Sequence, residues 1–276
     1  MNHVMNCFSL DGKVIIITGA AGLLGRMHAK AVLDVGAIPI LLDINIKKLD
    51  SVRKELLEEN PSSKVITFCN NITDENQMRE VLDCVIEKCG HVDGLINNAC
   101  HNPTMKNAQK GIGRLETLSH KEWLEDTEVG LYGAICCSKI FGGYMAEHDG
   151  GVILNIVSDL GVIAPNQGLY RIDGELEKDQ PKKPVTYSTV KWGMIGLTKY
   201  LSTYWAEQNV RTNAVALGGV FNQQSEIFLK RIKEQIPMRR MARVDEYKGS
   251  IVYMLSEASS YMTGAVVSID GGRTAW

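Results

Sequence analysis

The chain has 276 residues, 45% of them apolar and 22% charged, and its 30 basic side chains nearly balance 32 acidic ones for a net charge of −2. Such a length and composition describe a globular protein with one sizeable core, not a disordered or fibrous chain. The charge balance excludes bulk attraction to nucleic acid or anionic membrane, and no apolar run approaches the roughly 20 residues that cross a bilayer or reads as a secretory leader.

In chain order, Lys13-Val-Ile-Ile-Ile-Thr18 is a short β-branched run that suits a strand buried on both faces of a parallel sheet. A glycine-rich turn follows, then a helix over residues 24–35 that stops at Gly36. A strand over 38–42, a charged helix over 47–59 ended by Asn60-Pro61, a strand over 64–69, a helix over 75–89 and a strand over 94–97 continue the alternation. Beyond these come a helix over about 123–145, a strand over 151–157, a helix over 187–207, a strand over 210–216, a helical segment over 245–255 and a last strand over 265–269. The expected fold class is therefore α/β: a single-domain, Rossmann-type, doubly wound parallel sheet with helices on both faces, occupying residues 1–276. Residues 164–186 break the rhythm with Pro165, Pro181, Pro184 and a charge run, and read as an inserted loop of the kind that covers a binding site.

Thr18-Gly-Ala-Ala-Gly22-Leu-Leu-Gly25 lies between the first strand and first helix, where backbone N–H groups and the helix dipole suit a dinucleotide pyrophosphate. Gly19, Gly22, Leu24 and Gly25 are the candidate contacts. Asp43, 24 residues after Gly19, ends the second strand, where its carboxylate can accept from an adenosine ribose. A 2′-phosphate about 5 Å away would be repelled by ~3 kcal/mol per charge at an effective dielectric of 20, which favours NAD over NADP. The alternative role for Asp43 is a helix cap. Tyr187 and Lys191 are four apart and share one helix face, so an acid/base phenol and a cation that tunes it fall in one site.

Other motifs join these in order. Asn97-Asn-Ala-Cys100, Asn71-Ile-Thr-Asp74, Ser158 after Asn155-Ile-Val, Tyr187 with Lys191, Asn213-Ala-Val-Ala-Leu-Gly218-Gly-Val220 and the ending Ser259 to Gly272 together resemble the short-chain dehydrogenase/reductase family over about residues 10–272. The resemblance implies that Tyr187 moves the proton at the substrate oxygen, Lys191 lowers the tyrosine pKa and holds the nicotinamide ribose, and Ser158 steadies the reacting oxygen. It also implies that Asn71, Ile72, Asn98, Ala99, Gly218 and Val220 contact the cofactor, along with Tyr187 and Lys191. A narrower resemblance is to bacterial oxidoreductases of flagellin modification and surface-sugar biosynthesis.

Besides Asn71 and Leu217, which stand where the family's motifs have aspartate and proline, the chain departs from the family pattern at four places. The glycine turn has the spacing of the family's longer branch, Cys100 replaces a glycine, and Gly130 stands where an asparagine commonly holds a proton-relay water. The fourth departure is the 29-residue separation of Ser158 and Tyr187, which the inserted loop accounts for. Glycine in a helix interior suggests a kink or a close approach at position 130, and its main-chain carbonyl is then the expected holder of the relay water. In the loop, Tyr170, Arg171, Lys182 and Lys183 offer an aromatic ring for a sugar and cations for an anion.

The expected function is an NAD-dependent dehydrogenase or reductase of a secondary alcohol or ketone on a polar, anionic sugar derivative. The alternatives are a 3-oxoacyl-thioester reductase and a nucleotide-binding scaffold without turnover. The seven irregularly spaced cysteines read as small apolar residues of a reducing cytoplasm, and neither they nor the six histidines have metal-ligand spacing. Gly193 and Gly196 on the helix after Tyr187 suit a homodimer or homotetramer; no nucleic acid or membrane partner is expected.

Overall fold

A computed structural model describes residues 3–101 and 110–276. Seven strands, β1 (Val14–Thr18), β2 (Ile38–Asp43), β3 (Ile66–Cys69), β4 (Gly94–Asn97), β5 (Gly151–Ser158), β6 (Val210–Leu217) and β7 (Val266–Ile269), form one parallel sheet in the order β3-β2-β1-β4-β5-β6-β7. This is the Rossmann-type arrangement expected from the alternation. The order reverses between β1 and β4, so a crevice opens there at the carboxyl ends of the strands.

Each strand alternates its side chains between two helical layers because successive Cβ atoms point to opposite faces. Ile15, Ile17 and Leu41 enter one buried cluster, while Val14, Ile16, Ile40 and Leu42 enter the other. On the first face lie α1 (Gly25–Leu33), α2 (Ile46–Glu59) and, later in the chain, α7 (Lys248–Leu255); α3 (Glu75–Cys89) and α4 (residues 120–147) supply the second. Burial on both faces explains why β1 and β4 read as unbroken apolar runs. No helix among the described residues is long and apolar enough to cross a membrane.

Local chemistry fixes most boundaries. Asn45 caps α2 by accepting from Lys48 N–H, Asp74 caps α3 from Asn76 and Gln77, and Ser119 with Glu122 forms a capping box that starts α4 at His120. α4 is not uniform: π-helical turns at Glu128–Tyr132 and Ser138–Gly142 interrupt it, the first centred on Gly130. α5 (Val185–Tyr204) begins two residues before Tyr187, at Pro184, and so takes the end of the inserted loop into its first turn.

One helix was not expected. α6 (Glu226–Lys233) starts at a Ser225 cap and packs Ile232 and Phe228 beneath the inserted loop, against Leu169 and Tyr170. The loop is itself held together: the Gln180 side chain bonds the main chain of Ile172 on both sides and Glu175 O, while Arg231 of α6 bonds Asp173 at 2.8 Å. It is an ordered wall.

Candidate active site

The predicted site residues lie along the carboxyl edge of the sheet, each placed by the end of a different strand. Thr18 closes β1, and its Oγ1 accepts from the N–H groups of Asn98 and Ala99 just after β4, both at 3.0 Å. Asn98 returns the contact, donating to Thr18 O at 2.9 Å and Gly19 O at 3.1 Å. These bonds lash the glycine turn to the switch point. Gly19 has a φ of +61°, and a Cβ there would stand 2.8 Å from Ala99 Cα; at Gly25 it would stand 2.2 Å from Gly19 O. Only glycine fits either place.

Leu24 offers no side-chain cap to α1, so N–H groups at the helix start remain for an anion, the donor set a pyrophosphate needs. Gly22 and Leu24 flank that start. Asp43 ends β2 as expected, but its carboxylate is already shared: Oδ2 accepts from Ala21 N–H and Oδ1 from Asn45 N–H, each at 3.0 Å. It is not the cap of α2, which is Asn45. Lone pairs remain on both oxygens for a ribose, at the edge of a groove lined by Ala21, Gly22, Arg26 and Lys48. Asn71 is exposed after β3, whereas the Ile72 side chain is buried in the core, so Ile72 meets a cofactor only through its main chain. Gly218 follows β6, donating to Ile269 O at 2.9 Å and accepting from the Tyr247 hydroxyl at 2.8 Å. Val220 bridges to Ala242 beside it. Thus the donor set and the close backbone approaches fit a dinucleotide.

Ser158 ends β5 next to Leu217 of β6, with its hydroxyl beside the Tyr187 phenol and donating to Asp159 Oδ1 at 2.8 Å. Tyr187 stands in the first turn of α5, and Lys191 lies one turn on, buried, with Nζ donating to Ile156 O at 2.9 Å. The structure brings the three catalytic candidates together.

Their electrostatics differ from the expectation in one respect. Lys191 was expected to lower the tyrosine pKa, yet its Nζ is 5.8 Å from the Tyr187 ring centroid and committed to a carbonyl. Burial instead pushes the phenol well above the ordinary tyrosine range, with Cys100 and Asp159 adding to the rise and the Ser158 hydroxyl opposing it. The nearer cation is Lys183, whose Nζ is 3.9 Å from the same centroid. Burial lowers the Lys183 pKa to about 8, with the Lys191 charge helping and Cys100, Asp159 and Asp126 opposing.

Sequence reasoning grouped the loop cations together; the structure separates them. Lys182 turns outward and bonds Glu177 at 2.6 Å, and Arg171 reaches the same carboxylate at 3.4 Å. The Tyr170 ring lies against Phe228, centroids 5.8 Å apart, and is not an open platform for a sugar. Burial raises its phenol to about 12.

Two further groups reach the site from afar. Asp159, directly after Ser158, accepts from the serine hydroxyl at 2.8 Å and from Arg273 Nη1 at 2.6 Å, and both charged side chains are buried. Asp126 of α4 holds Thr186 and His101 with its two oxygens. The adjacency of Asp159 to Ser158 was visible in the sequence, but nothing there joined it to Arg273. Two departures from the family pattern also meet: a Cβ at Gly130 would lie 3.6 Å from Cys100 Sγ, and 2.6 Å from Val190 Cγ1. Val190 fills the room that the missing side chain leaves, with the Cys100 thiol beside it.

Residues 13–171 match the family described as short chain dehydrogenase, and residues 177–274 match that described as enoyl-(acyl carrier protein) reductase. A 3-oxoacyl-acyl-carrier-protein reductase of Thermotoga maritima is 32% identical over 270 residues, covering 95% of this chain and 98% of the relative. A post-translational flagellin modification protein A of Campylobacter coli is 29% identical over 263 residues, with coverage of 95% and 98%. A solved short-chain type dehydrogenase/reductase from Mycobacterium marinum aligns with a TM-score of 0.85 at 25% identity, covering 100% of each chain.

Proposed function

The chain belongs to the short-chain dehydrogenase/reductase family and is an oxidoreductase of alcohols or ketones, and on that premise we propose that it is an NAD(H)-dependent enzyme acting on a secondary alcohol or ketone of a polar sugar derivative in surface-carbohydrate biosynthesis. The observation that carries the reaction is the convergence of Ser158, at the end of β5, with Tyr187 and Lys191 one turn apart on α5, at the carboxyl edge of the sheet. A nicotinamide dinucleotide supplies the hydride donor or acceptor. With substrate bound, the Ser158 hydroxyl would turn its proton from Asp159 to the reacting oxygen and Tyr187 would transfer the proton at that oxygen, while Lys191 fixes the Tyr187 face of the helix through Ile156 and offers its ammonium to the ribose.

The preference for NAD follows from Asp43, whose negative charge stands beside the groove at the glycine turn and is held there by two backbone N–H groups. The sugar substrate is supported by the ordered polar wall that residues 164–186 build between Ser158 and Tyr187, and by the flagellin-modification relative. A 3-oxoacyl-thioester reductase is the second reading, favoured by the 32% identical relative. The long polar loop, with its Glu175–Asp179 charge run, suits an acyl chain poorly. A scaffold without turnover is disfavoured by the assembled Ser158, Tyr187 and Lys191.

Following NADH or NADPH across sugars, sugar phosphates, nucleotide sugars and an acetoacetyl thioester separates these readings. Turnover with a sugar class and not with the thioester is expected; the reverse would overturn the substrate class. Shortening the loop should raise KM far more than the cofactor Kd.

Assembly as a homodimer or homotetramer belongs to the same proposal. Gly193 faces Leu131 of its own chain, but Gly196 has open space before it, and Trp192 and Tyr200 of α5 and Leu124, Tyr132 and Ile135 of α4 are exposed. All seven cysteines are free thiols, which supports the proposed cytoplasmic location.

A further inference from the structure

We propose that Lys183 is a second positioning cation of the proton-transfer step: packed against the face of Tyr187, it stabilises the tyrosinate, so that the inserted loop sets the acidity of that phenol. This rests on Tyr187 as the proton-transfer group of the proposed reaction.

The geometry comes first. Lys183 Nζ lies 3.9 Å from the Tyr187 ring centroid, well inside cation–π range, whereas Lys191 Nζ is 5.8 Å away and donates to Ile156 O. Lys183 is buried, and its main chain is pinned on both sides by Gln167, which accepts from Lys183 N–H at 2.7 Å and donates to Lys183 O at 3.3 Å. Pro184 then sets the first turn of α5, so lysine and tyrosine are rigidly connected. Sequence offered Lys182 and Lys183 as equivalents, but only Lys183 turns inward.

The charges around the phenol show what the cation does. From the segment after β4 comes Cys100, from the end of β5 Ser158 and Asp159, from the loop Lys183 and Tyr170, and from α5 Lys191, while Asp126 of α4 faces Lys183. Burial, Cys100 and Asp159 all disfavour a tyrosinate. An ammonium over the ring opposes them, and in a buried site that attraction is strong. Lys183 keeps its charge up to about pH 8, so the effect operates through the neutral range.

The sign is definite: removing the cation raises the phenol pKa, and an arginine in its place keeps it low. The test uses full-length protein biosynthesised with difluorotyrosine, whose phenol ionises nearer neutrality, and follows the Tyr187 fluorine resonance, assigned by its loss in Tyr187→Phe. Because Lys183 itself loses its charge near pH 8, the contrast is drawn against a permanent cation: the Tyr187 midpoint in Lys183→Arg should lie at least about one pH unit below that in Lys183→Gln. Equal midpoints in Lys183→Arg and Lys183→Gln would overturn the proposal. Should Lys183→Gln not fold, Lys183→Met and Lys183→Arg give the same comparison. Because the readout needs neither substrate nor cofactor, a negative result removes Lys183 alone. Full activity in Tyr187→Phe would instead remove the underlying reaction.

Discussion

Arg273, just beyond β7, places Nη1 2.6 Å from the Oδ2 of Asp159, and the other oxygen of that carboxylate accepts the Ser158 hydroxyl at 2.8 Å. A buried ion pair thus ties the segment after the last strand to the residue beside Ser158. The pair fixes which way Ser158 points before any substrate binds.

Breaking this pair from one side leaves a buried charge without compensation. Arg273→Met and Asp159→Leu are each expected to cost about 3–5 kcal/mol, whereas the two substitutions combined should cost much less than the sum. Urea denaturation of the four proteins in the cycle checks this; additive losses would show that the two side chains do not act together.

Gly130 is held by space, not only by helix geometry. A Cβ there would meet Val190 Cγ1 at 2.6 Å, so Gly130→Ala should destabilise by about 1–3 kcal/mol and Val190→Ala in the same chain should recover part of it. Thermal unfolding of the single and double variants decides. The relay asparagine of other family members therefore cannot simply be restored here: Gly130→Asn alone is expected to lose stability before it gains turnover.

Residues close in sequence announced most of this molecule. The β-branched run before Gly19, the carboxylate ending β2 and the Tyr187–Lys191 spacing each carry their reason locally, in strand burial, turn geometry and helical periodicity. What stayed hidden is set by tertiary neighbours. Arg273 and Asp159 are 114 positions apart, and nothing in either segment marks the other. The inward Lys183 and outward Lys182 differ only through the Gln167 clamp and the Glu177 partner. α6 did carry a local signal, the Ser225 cap before an amphipathic stretch, but its apolar face has meaning only beneath the inserted loop.

Asp43 should control cofactor choice. Asp43→Ser removes the charge that repels a 2′-phosphate and is expected to raise affinity for NADP relative to NAD by at least about tenfold. Some affinity for both should be lost, since Ala21 and Asn45 lose their acceptor. Fluorescence titration with each reduced cofactor measures the ratio; an unchanged ratio would remove Asp43 from that role.

His28 gives the fold an acid-sensitive element. Burial holds its pKa at about 4 against an ordinary 6.5, with the neighbouring Asn98 side chain opposing the fall. The unfolded chain therefore binds the extra proton between those values. Stability is full above about pH 6.5 and is lost as pH falls toward 4, by on the order of 3 kcal/mol. Denaturant midpoints across this range should flatten in His28→Gln. An equal slope in that variant would place the acid sensitivity elsewhere.

The central claim is hydride transfer with Tyr187 as the proton-transfer group. Its most direct measurement is the rate of NADH or NADPH formation and consumption by wild type and Tyr187→Phe, on whichever alcohol or ketone the wild type turns over, together with the cofactor Kd of both. Turnover is expected to fall by about 10²–10⁴-fold in Tyr187→Phe while cofactor affinity stays within roughly twofold. Undiminished turnover in Tyr187→Phe would contradict the account.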